Sequence, residues 1–327
     1  MNDRENALEI IKHGNPDRIT TYAPCYGVSY FGADHQGFEC TETAYSHNRP
    51  VGDKWFDIWG TQWHKEHPVV MGFPKGTPLA EVSDLVGYQW PDPDDERICS
   101  KIYEQAAGFQ NPAEMILSGS HRDTLWEKSY MIVGMDNMMT YFYTEPDYAR
   151  EILHNIMNFQ LGIAKHYEKI GVELVHLSDD MGTQSGLLLG EKIFNEFLYP
   201  EYKRLFDFYK SRDVLIMLHS CGHIEPLLES FIELGVNLLD PLQATANNLE
   251  NVIEITQGRM ALGGGISSSL LMSGTPAEIR QTVKKTIKLL GSKGGYFCYA
   301  DQSLPFPDEN RSAFNEAVIE FGKYPIQ

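Results

Sequence analysis

The clearest chemical signal in the sequence is a histidine and a cysteine two residues apart. His219 and Cys221 directly follow the apolar run 214–218. Side chains two positions apart on extended chain point to the same side, so both can reach one metal ion. An imidazole nitrogen with a thiolate sulfur suits Zn²⁺, and Gly222 lets the chain turn sharply after the pair. The spacing predicts a zinc site; a hydrogen-bonded histidine beside a buried cysteine is the alternative.

A third ligand must come from another segment of the chain. Cys298 lies on the last apolar run, which in a closed barrel stands across the mouth from His219. Its thiolate would complete a two-cysteine, one-histidine set like those of catalytic zinc sites. Alternatively Cys298 packs inside the barrel, and Asp301 or Gln302 supplies an oxygen instead.

Carboxylates and an amide follow two further apolar runs. Asp179 and Asp180 come after the run 172–177, and adjacent side chains on extended chain face opposite sides. One of them is therefore expected to cap a helix or staple a loop, and Asp180 is the candidate for catalysis as a general base or hydrogen-bond acceptor. Gln243, Asp301 and Gln302 are expected to bind substrate. His176, inside a strand, is expected to be a hydrogen-bonded core residue.

These residues need a scaffold that brings strand ends together, and the pattern after residue 112 provides one. Short continuous apolar runs alternate with amphipathic helices, as in a parallel sheet buried on both faces. One helix is predicted from Pro146 to Gly171 and another from the Thr275-Pro276 cap to Gly291. The remaining runs predicted as strands are 115–117, 172–177, 214–218, 236–239, 260–262 and 296–299.

The favoured fold class is an α/β (α/β)₈ TIM barrel with an N-terminal hairpin and loop cap. An open doubly wound sheet is the second choice. Residues 1–110 are predicted to hold a first strand (Ile19 to Pro24) and the cap, and residues 111–327 the regular barrel, within one domain spanning 1–327. The eighth strand is expected between residues 120 and 140. In such a barrel the chemistry lies at the carboxyl ends of the strands.

Composition limits the partners and the compartment. The 327 residues carry a net charge of −18, which disfavours nucleic acid and anionic membranes as partners. The 5 cysteines form no C-x-x-C motif, which fits a reducing cytoplasm, and no run is long enough to span a membrane. The absence of G-x-x-x-x-G-K and G-x-S-x-G weakens nucleotide hydrolase and serine hydrolase interpretations.

A series of short motifs resembles the uroporphyrinogen decarboxylase superfamily. The likeness covers most of the chain, although residues 20–50 and 100–140 match poorly. The motifs that carry it are Asn15-Pro16-Asp17-Arg18, Asp57-Ile58-Trp59-Gly60, Trp90-Pro91-Asp92, Asp180-Met181-Gly182-Thr183-Gln184, Phe197-Leu198-Tyr199-Pro200, His219-Ser220-Cys221-Gly222, Glu233-Leu234-Gly235-Val236, Asp240-Pro241-Leu242-Gln243, Gly264-Gly265-Ile266, Gly274-Thr275-Pro276, Gly294-Gly295-Tyr296 and Glu309-Asn310.

The resemblance implies a TIM barrel and one of two chemistries. The decarboxylases hold their carboxylated ring with arginines near the start, but this chain has no Lys or Arg between Arg18 and Arg49. The other branch contains zinc-containing, corrinoid-dependent methyltransferases, whose H-x-C motif matches His219 and Cys221. In that branch the downstream cysteine stands about where Asp301 or Gln302 stands here.

The methyltransferase branch implies methyl transfer between a corrinoid (cobalamin) protein and a thiol or methylated small molecule. Zinc and a corrinoid carried by a partner protein are the implied cofactors. The tryptophans Trp55, Trp59, Trp63 and Trp90 are expected either to frame the docking surface for that partner or to lie in the core. A decarboxylating lyase for a small carboxylate and a non-catalytic ligand-binding barrel are the alternatives.

Overall fold

The centre of the molecule is a parallel sheet of seven strands that follow one another in chain order. The computed structural model describes residues 1–30, 49–68 and 72–327. Each neighbouring pair is parallel, so the connecting helices pack outside the sheet and the carboxyl ends of the strands share one edge. The strands are β1 (Cys25–Val28), β5 (Ile116–His121), β6 (Leu174–Ser178), β7 (Leu215–His219), β8 (Leu238–Leu242), β9 (Ala261–Ile266) and β10 (Tyr296–Ala300).

The two edge strands of this sheet meet at one short segment. The backbone oxygen of Thr20 accepts a hydrogen bond from the amide of Cys298 on β10 at 2.9 Å, and the oxygen of Pro24 accepts one from Ile116 on β5 at 2.8 Å. The segment 20–24 therefore contacts β10 at one edge of the sheet and continues directly into β1 at the other, so the sheet is curled rather than flat. The predicted first strand, Ile19 to Pro24, ends just before the observed β1.

The helices that cover the sheet begin and end at the local signals of the sequence. The helix from Pro146 ends at Gly171, which is left-handed with φ of 74°, as predicted. Thr275 and Glu278 form the predicted capping box. The helices are α1 (Asp3–Ile11), α2 (Glu96–Ala106), α3 (Trp126–Val133), α4 (Met135–Thr144), α5 (Pro146–Ile170), α6 (Gly190–Ile193), α7 (Tyr199–Lys210), α8 (Leu228–Leu234), α9 (Leu249–Thr256), α10 (Ser268–Ser273), α11 (Pro276–Gly291) and α12 (Asp308–Phe321).

The expectation of an eighth strand between residues 120 and 140 is wrong. This stretch contains the end of β5, all of α3 and the start of α4. Trp126, Met131, Ile132 and Val133 are buried on α3, so the apolar content serves helix packing rather than a strand. Within the described residues the parallel sheet has the seven strands given above.

The N-terminal region contributes a second, antiparallel sheet and part of the core. Strands β2 (Lys54–Phe56), β3 (Gln62–His64) and β4 (Phe73–Gly76) form this three-stranded sheet in chain order. Residues 31–48 and 69–71 of the expected cap lie outside the described residues. Among the helices described here, none combines the length and the apolar character that a membrane crossing requires.

The tryptophans of this region lie in the interior. Trp55, Trp59 and Trp63 are each at most 3% exposed, and Trp90 is partly buried against the main core. The expectation that they frame a docking surface is wrong for the three buried residues, since their apolar rings are removed from water by packing.

Candidate metal centre

The predicted histidine and cysteine lie together where β7 ends. His219 is the last residue of β7, and Nε2 of its ring lies 3.5 Å from Sγ of Cys221. The side chains of both residues are partly exposed at the carboxyl edge of the sheet. The structure thus brings together the two donors that the two-residue spacing predicted.

Asp180 completes a group of three possible ligands. Its Oδ1 lies 3.6 Å from Nε2 of His219 and accepts a hydrogen bond of 2.8 Å from the amide of Cys221. The metal-ligating atoms of Asp180, His219 and Cys221 all lie within 4.8 Å of one another. Asp180 therefore belongs to the donor group itself, beyond the general-base role that the sequence suggested.

Two glycine-containing loops hold these donors in place. The amide of Gly182 donates to the oxygen of Cys221 at 3.1 Å, and the amide of His223 donates to the oxygen of Thr183 at 2.7 Å. Gly222 has φ of 87°, and a Cβ added there would collide with the backbone of Gly182. The two loops pack backbone against backbone, which fixes the separation of Asp180 from Cys221.

The donor spacing can be tested against the geometry that zinc demands. Zinc has Zn–N distances of about 2.0–2.1 Å, Zn–S of about 2.3 Å and Zn–O of about 2.0–2.2 Å. With tetrahedral angles, Nε2 of His219 should then lie about 3.6 Å from Sγ of Cys221 and about 3.4 Å from Oδ1 of Asp180. The observed distances are 3.5 Å and 3.6 Å. Three donors leave the fourth position free, as catalytic zinc sites require. The residues present fit a zinc ion.

The carboxylate of Asp240 lies next to the other ring nitrogen of His219. His219 pairs with Asp240 across β7 and β8, and its Nδ1 lies 3.7 Å from Oδ2 of Asp240. Burial lowers the pKa of His219, but hydrogen bonding to Asp240 and Cys221 outweighs it and raises the pKa to about 10. A carboxylate on the far nitrogen orients an imidazole so that the other nitrogen faces the metal.

His176 was expected to be a hydrogen-bonded core residue, and that expectation is wrong. Its Nε2 lies 3.8 Å from Oδ1 of Asp240, and neither atom has a hydrogen-bond partner within the described part of the chain. Burial lowers the pKa of His176, so the ring is held neutral. His176, His219 and Asp240 form a second group of potential ligands that shares His219 with the first.

The two adjacent aspartates have separate environments. Asp179 is fully buried and accepts hydrogen bonds from the amides of Leu125, Trp126 and Glu127 and from the hydroxyl of Tyr202. It thereby caps the N-terminus of α3. This is the structural role that the sequence assigned to one member of the pair.

Glu127, which sequence reasoning missed, lies beside this acidic group. Burial, followed by the charges of Asp123, Asp179 and Asp180, raises the pKa of Glu127 to about 9. The hydroxyl of Tyr130 donates to its Oε1 at 3.2 Å. A carboxyl group that keeps its proton at neutral pH is typical of functional sites, but the local sequence around position 127 gives no signal of it.

The structure does not bring Cys298 into the donor group. On β10, Phe297 and Tyr299 face the space inside the sheet, whereas Cys298 points to the opposite face and is fully buried in the main core. Burial raises the pKa of Cys298 to about 12, which disfavours the thiolate that a metal requires. The alternation of side chains along β10 therefore keeps Cys298 out of the donor group, and Asp180 is the third donor instead.

The predicted substrate-binding residues lie around the group in different roles. Gln302 donates from Nε2 to Sγ of Cys221 at 3.4 Å, so it contacts the centre. Gln243 accepts a hydrogen bond from the amide of Gly222 and so braces the ligand loop. Asp301 is buried and accepts hydrogen bonds from the amide and hydroxyl of Ser268 at 2.9 and 2.6 Å, which holds the start of α10.

A chamber of about 570 Å³ lies inside the curled sheet. Asp240 and His176 contribute to its wall, and so does Gln302, which contacts Cys221. Small-molecule sites typically have volumes of about 300–1,000 Å³. The chamber is large enough for a small molecule, and Gln302 connects its wall to Cys221.

Fold and site together define an α/β protein with a metal-donor group at the carboxyl ends of a curled parallel sheet. The family model for uroporphyrinogen decarboxylase (URO-D) matches residues 78–306, which is most of the chain. The chain belongs to this family.

Similar proteins are described as methyltransferases. A methylcobamide:CoM methyltransferase MtbA of Methanosarcina mazei is 25% identical over 150 residues, which cover 44% of this chain and 42% of that protein. A methylated-thiol–coenzyme M methyltransferase of the same organism is 22% identical over 196 residues, covering 58% of this chain and 49% of the relative. The matches thus span less than half of each relative.

A solved structure shares the whole fold. A methyltransferase from Methanosarcina mazei superposes with a TM-score of 0.71 at 16% sequence identity, covering 98% of this chain and 99% of the other. This likeness shows that the two chains share a fold.

Proposed function

We propose that this protein is a zinc-dependent methyltransferase that moves a methyl group between a corrinoid protein and a thiol or methylated small molecule. The observation that carries the proposal is the nitrogen, sulfur and oxygen donor group of His219, Cys221 and Asp180, whose spacing fits a tetrahedral zinc ion. Similarity to methylcobamide:CoM and methylated-thiol methyltransferases supports the reaction class.

The chain's own residues would bind and orient the reactants. Zinc, when bound, lowers the pKa of a coordinated thiol, or acts as a Lewis acid on a methylated donor in the reverse direction. Asp240 holds the ring of His219, and the amide of Gln302 stabilises negative charge on the sulfur of Cys221. The side chain of Asp180 is 42% exposed, so the donor group is open on one side to an incoming substrate.

The proposed methyl transfer is a nucleophilic displacement at the methyl carbon. In the thiol direction the substrate thiolate attacks the methyl carbon, a C–S bond forms, and the Co–C bond breaks with its electron pair remaining on cobalt. The proton of the thiol is released when the thiolate forms. The donor group lies at the carboxyl edge of the sheet, so a corrinoid protein is proposed to dock over this edge.

We further propose a cytoplasmic setting and a single domain over residues 1–327. Cys25, Cys99, Cys221 and Cys298 are unpaired in the structure, which suits a reducing compartment. Residues of the N-terminal region, among them Trp59, belong to the same hydrophobic core as the residues around the sheet. That shared core supports one domain.

Metal analysis combined with a transfer assay tests the proposal. We expect the purified protein to bind one zinc per chain, and Cys221→Ser and His219→Ala to lose it. With methylcobalamin and 2-mercaptoethanol, the wild-type chain should convert methylcobalamin to reduced cobalamin, and the two variants should not. Met272→Phe, on the exposed side of α10, is the control and should retain zinc and transfer. Wild-type protein that binds no zinc and transfers no methyl group would instead support the lyase or the binding protein, and unchanged turnover in the two variants would refute a role for zinc.

A further inference from the structure

A second cavity lies near the amino edge of the sheet, away from the donor group. It has a volume of about 410 Å³ and is enclosed by α11, the end of α12 and the segment 322–327. Tyr324 fixes this segment, because its amide donates to the oxygen of Asp17 at 3.1 Å and its hydroxyl donates to the oxygen of Gly291 at 2.9 Å. Gly291 ends α11 shortly before β10 begins, whereas the donor group lies where strands end. The two sites are therefore at opposite edges of the sheet.

The floor of this cavity is apolar. The side chain of Ile287 is fully buried, and Phe321 and Ile326 are partly buried against the main core. Pro325 completes the apolar part of the lining. An apolar group that enters the cavity would be removed from water against these side chains, which favours its binding.

Two lysines place positive charge beside the apolar floor. Lys284 and Lys323 both line the cavity and are exposed to solvent. Nζ of Lys284 lies 5.1 Å from the centre of the Phe321 ring, and this contact holds its charge next to the floor. Within the described part of the chain, neither lysine forms an ion pair with a carboxylate. Both charges are thus available to a ligand.

The negative charge in the lining is offset by a residue outside it. Among the described side chains that line the cavity, Glu320 is the acidic one, and its carboxylate is bonded to Arg280. Cζ of Arg280 also lies 5.0 Å from the centre of the Phe321 ring. The two lysines therefore leave the cavity with a positive charge. On a chain whose net charge is −18, this cavity is a place where an anion is attracted rather than repelled.

We infer that this cavity binds a small amphipathic anion. An aromatic or alkyl body would contact the floor formed by Ile287, Phe321 and Ile326, and a carboxylate or sulfonate group would pair with Lys284 and Lys323. The volume of about 410 Å³ lies within the range of about 300–1,000 Å³ that is typical of small-molecule sites. The inference is independent of the proposed function, because none of these residues belongs to the donor group or to the chamber inside the sheet.

Three compounds that differ only in charge test the inference. Para-phenylbenzoate is an anion, para-phenylbenzyl alcohol is neutral and para-phenylbenzylamine is a cation, all on one aromatic skeleton. Dissociation constants are measured by calorimetry on the full chain at neutral pH and about 0.05 M NaCl. We expect the benzoate to bind at least about tenfold more tightly than the alcohol and the amine, because only the anion is attracted to the two lysines. A benzoate that binds no more tightly than the alcohol, or that does not bind, overturns the inference.

The salt dependence separates the ionic contact from the apolar one. At about 0.5 M NaCl the affinity for para-phenylbenzoate should fall at least about threefold, because the exposed lysines are screened, while the affinity for the alcohol stays within about twofold. An anion whose affinity does not respond to salt contradicts pairing with Lys284 and Lys323 and overturns the inference.

Charge reversals locate the site. Lys284→Glu and Lys323→Glu should each weaken para-phenylbenzoate binding at least about tenfold. Lys285→Glu is the matched control, since Lys285 is exposed on the same helix but does not line the cavity, and binding should stay within about threefold. An equal loss in Lys284→Glu and Lys285→Glu assigns the binding to general charge and overturns the inference. Unchanged binding in both lysine reversals, as for a ligand bound in the chamber, also overturns it.

Two further variants test the apolar contact and guard against misfolding. Ile326→Ser removes part of the floor and should weaken para-phenylbenzoate at least about threefold. Lys284→Gln removes the charge without reversing it and repeats the test if Lys284→Glu does not fold. Wild-type affinity in folded Ile326→Ser shows that the aromatic body lies elsewhere and overturns the inference.

Discussion

The exchange of Asp180 for asparagine distinguishes the donor group seen in the structure from the one expected from the sequence. Asparagine keeps an oxygen that can accept the 2.8 Å hydrogen bond from the amide of Cys221, so the loop should keep its shape. The substitution removes the anionic donor, whose Oδ1 lies 3.6 Å from Nε2 of His219. Loss of an outer hydrogen-bond partner of a metal ligand typically costs about 10–100-fold in affinity. Loss of a direct donor should therefore cost at least about 100-fold, or about 2.7 kcal/mol.

Cys298→Ser is the matched control for this prediction. Cys298 is fully buried on the opposite face of β10, so the zinc affinity of the Cys298→Ser variant should stay within about twofold of wild type. The free energy of unfolding should fall by about 1 kcal/mol or more, because a hydroxyl replaces a thiol in an apolar site. Zinc affinity is measured by competition with a chromophoric chelator, and unfolding by urea titration. Wild-type zinc affinity in Asp180→Asn, or loss of zinc in Cys298→Ser, would refute the assignment of ligands.

Three further substitutions test the surroundings of the donor group. Burial raises the pKa of Glu127 from 4.5 to about 9, so the folded state keeps a proton that the unfolded state releases as the pH rises through 4.5. The wild-type protein therefore loses stability as the pH rises between those two values. In urea unfolding, Glu127→Gln should be more stable than wild type by on the order of 1 kcal/mol at about pH 8, but not at about pH 4. An equal difference at both pH values would contradict this prediction. Asp240→Asn should weaken zinc binding about 10–100-fold in the chelator assay, because the carboxylate no longer orients the histidine ligand, and unchanged affinity would argue against that support. Gly222→Ala should cost at least about 2 kcal/mol in urea unfolding, since φ is 87° and the facing loop is in the way, whereas Gly186→Ala, with open space around it, serves as the control and should be near neutral.

Features that depend on neighbouring residues were predictable from the sequence. The capping box at Thr275 and the glycine at 171 act through backbone groups a few residues away, and both mark the ends of the helices correctly. The pairing of His219 with Cys221 follows from the two-residue period of extended chain. The division of labour between Asp179 and Asp180 follows from the same alternation.

The wrong prediction of an eighth strand shows where the local sequence pattern is insufficient. The apolar residues of α3 could pack as a strand or as a helix, and short apolar runs do not distinguish the two. Capping of the N-terminus of α3 by Asp179, which lies more than 50 residues away in the chain, accompanies the helix. A contact of that sequence separation cannot be read from the residues between 120 and 140.

The sequence by itself determined the strand and helix alternation and the histidine–cysteine pair, because each depends on the periodicity of a single element. Only the tertiary structure decided which third side chain meets that pair. Asp180 follows the end of β6, the strand hydrogen-bonded to β7, whereas Cys298 faces away because of its position in the alternation of β10. The unpartnered Nε2 of His176 and the raised pKa of Glu127 likewise depend on packing between strands and helices that are distant in the chain, since burial and neighbouring charge are properties of the assembled fold.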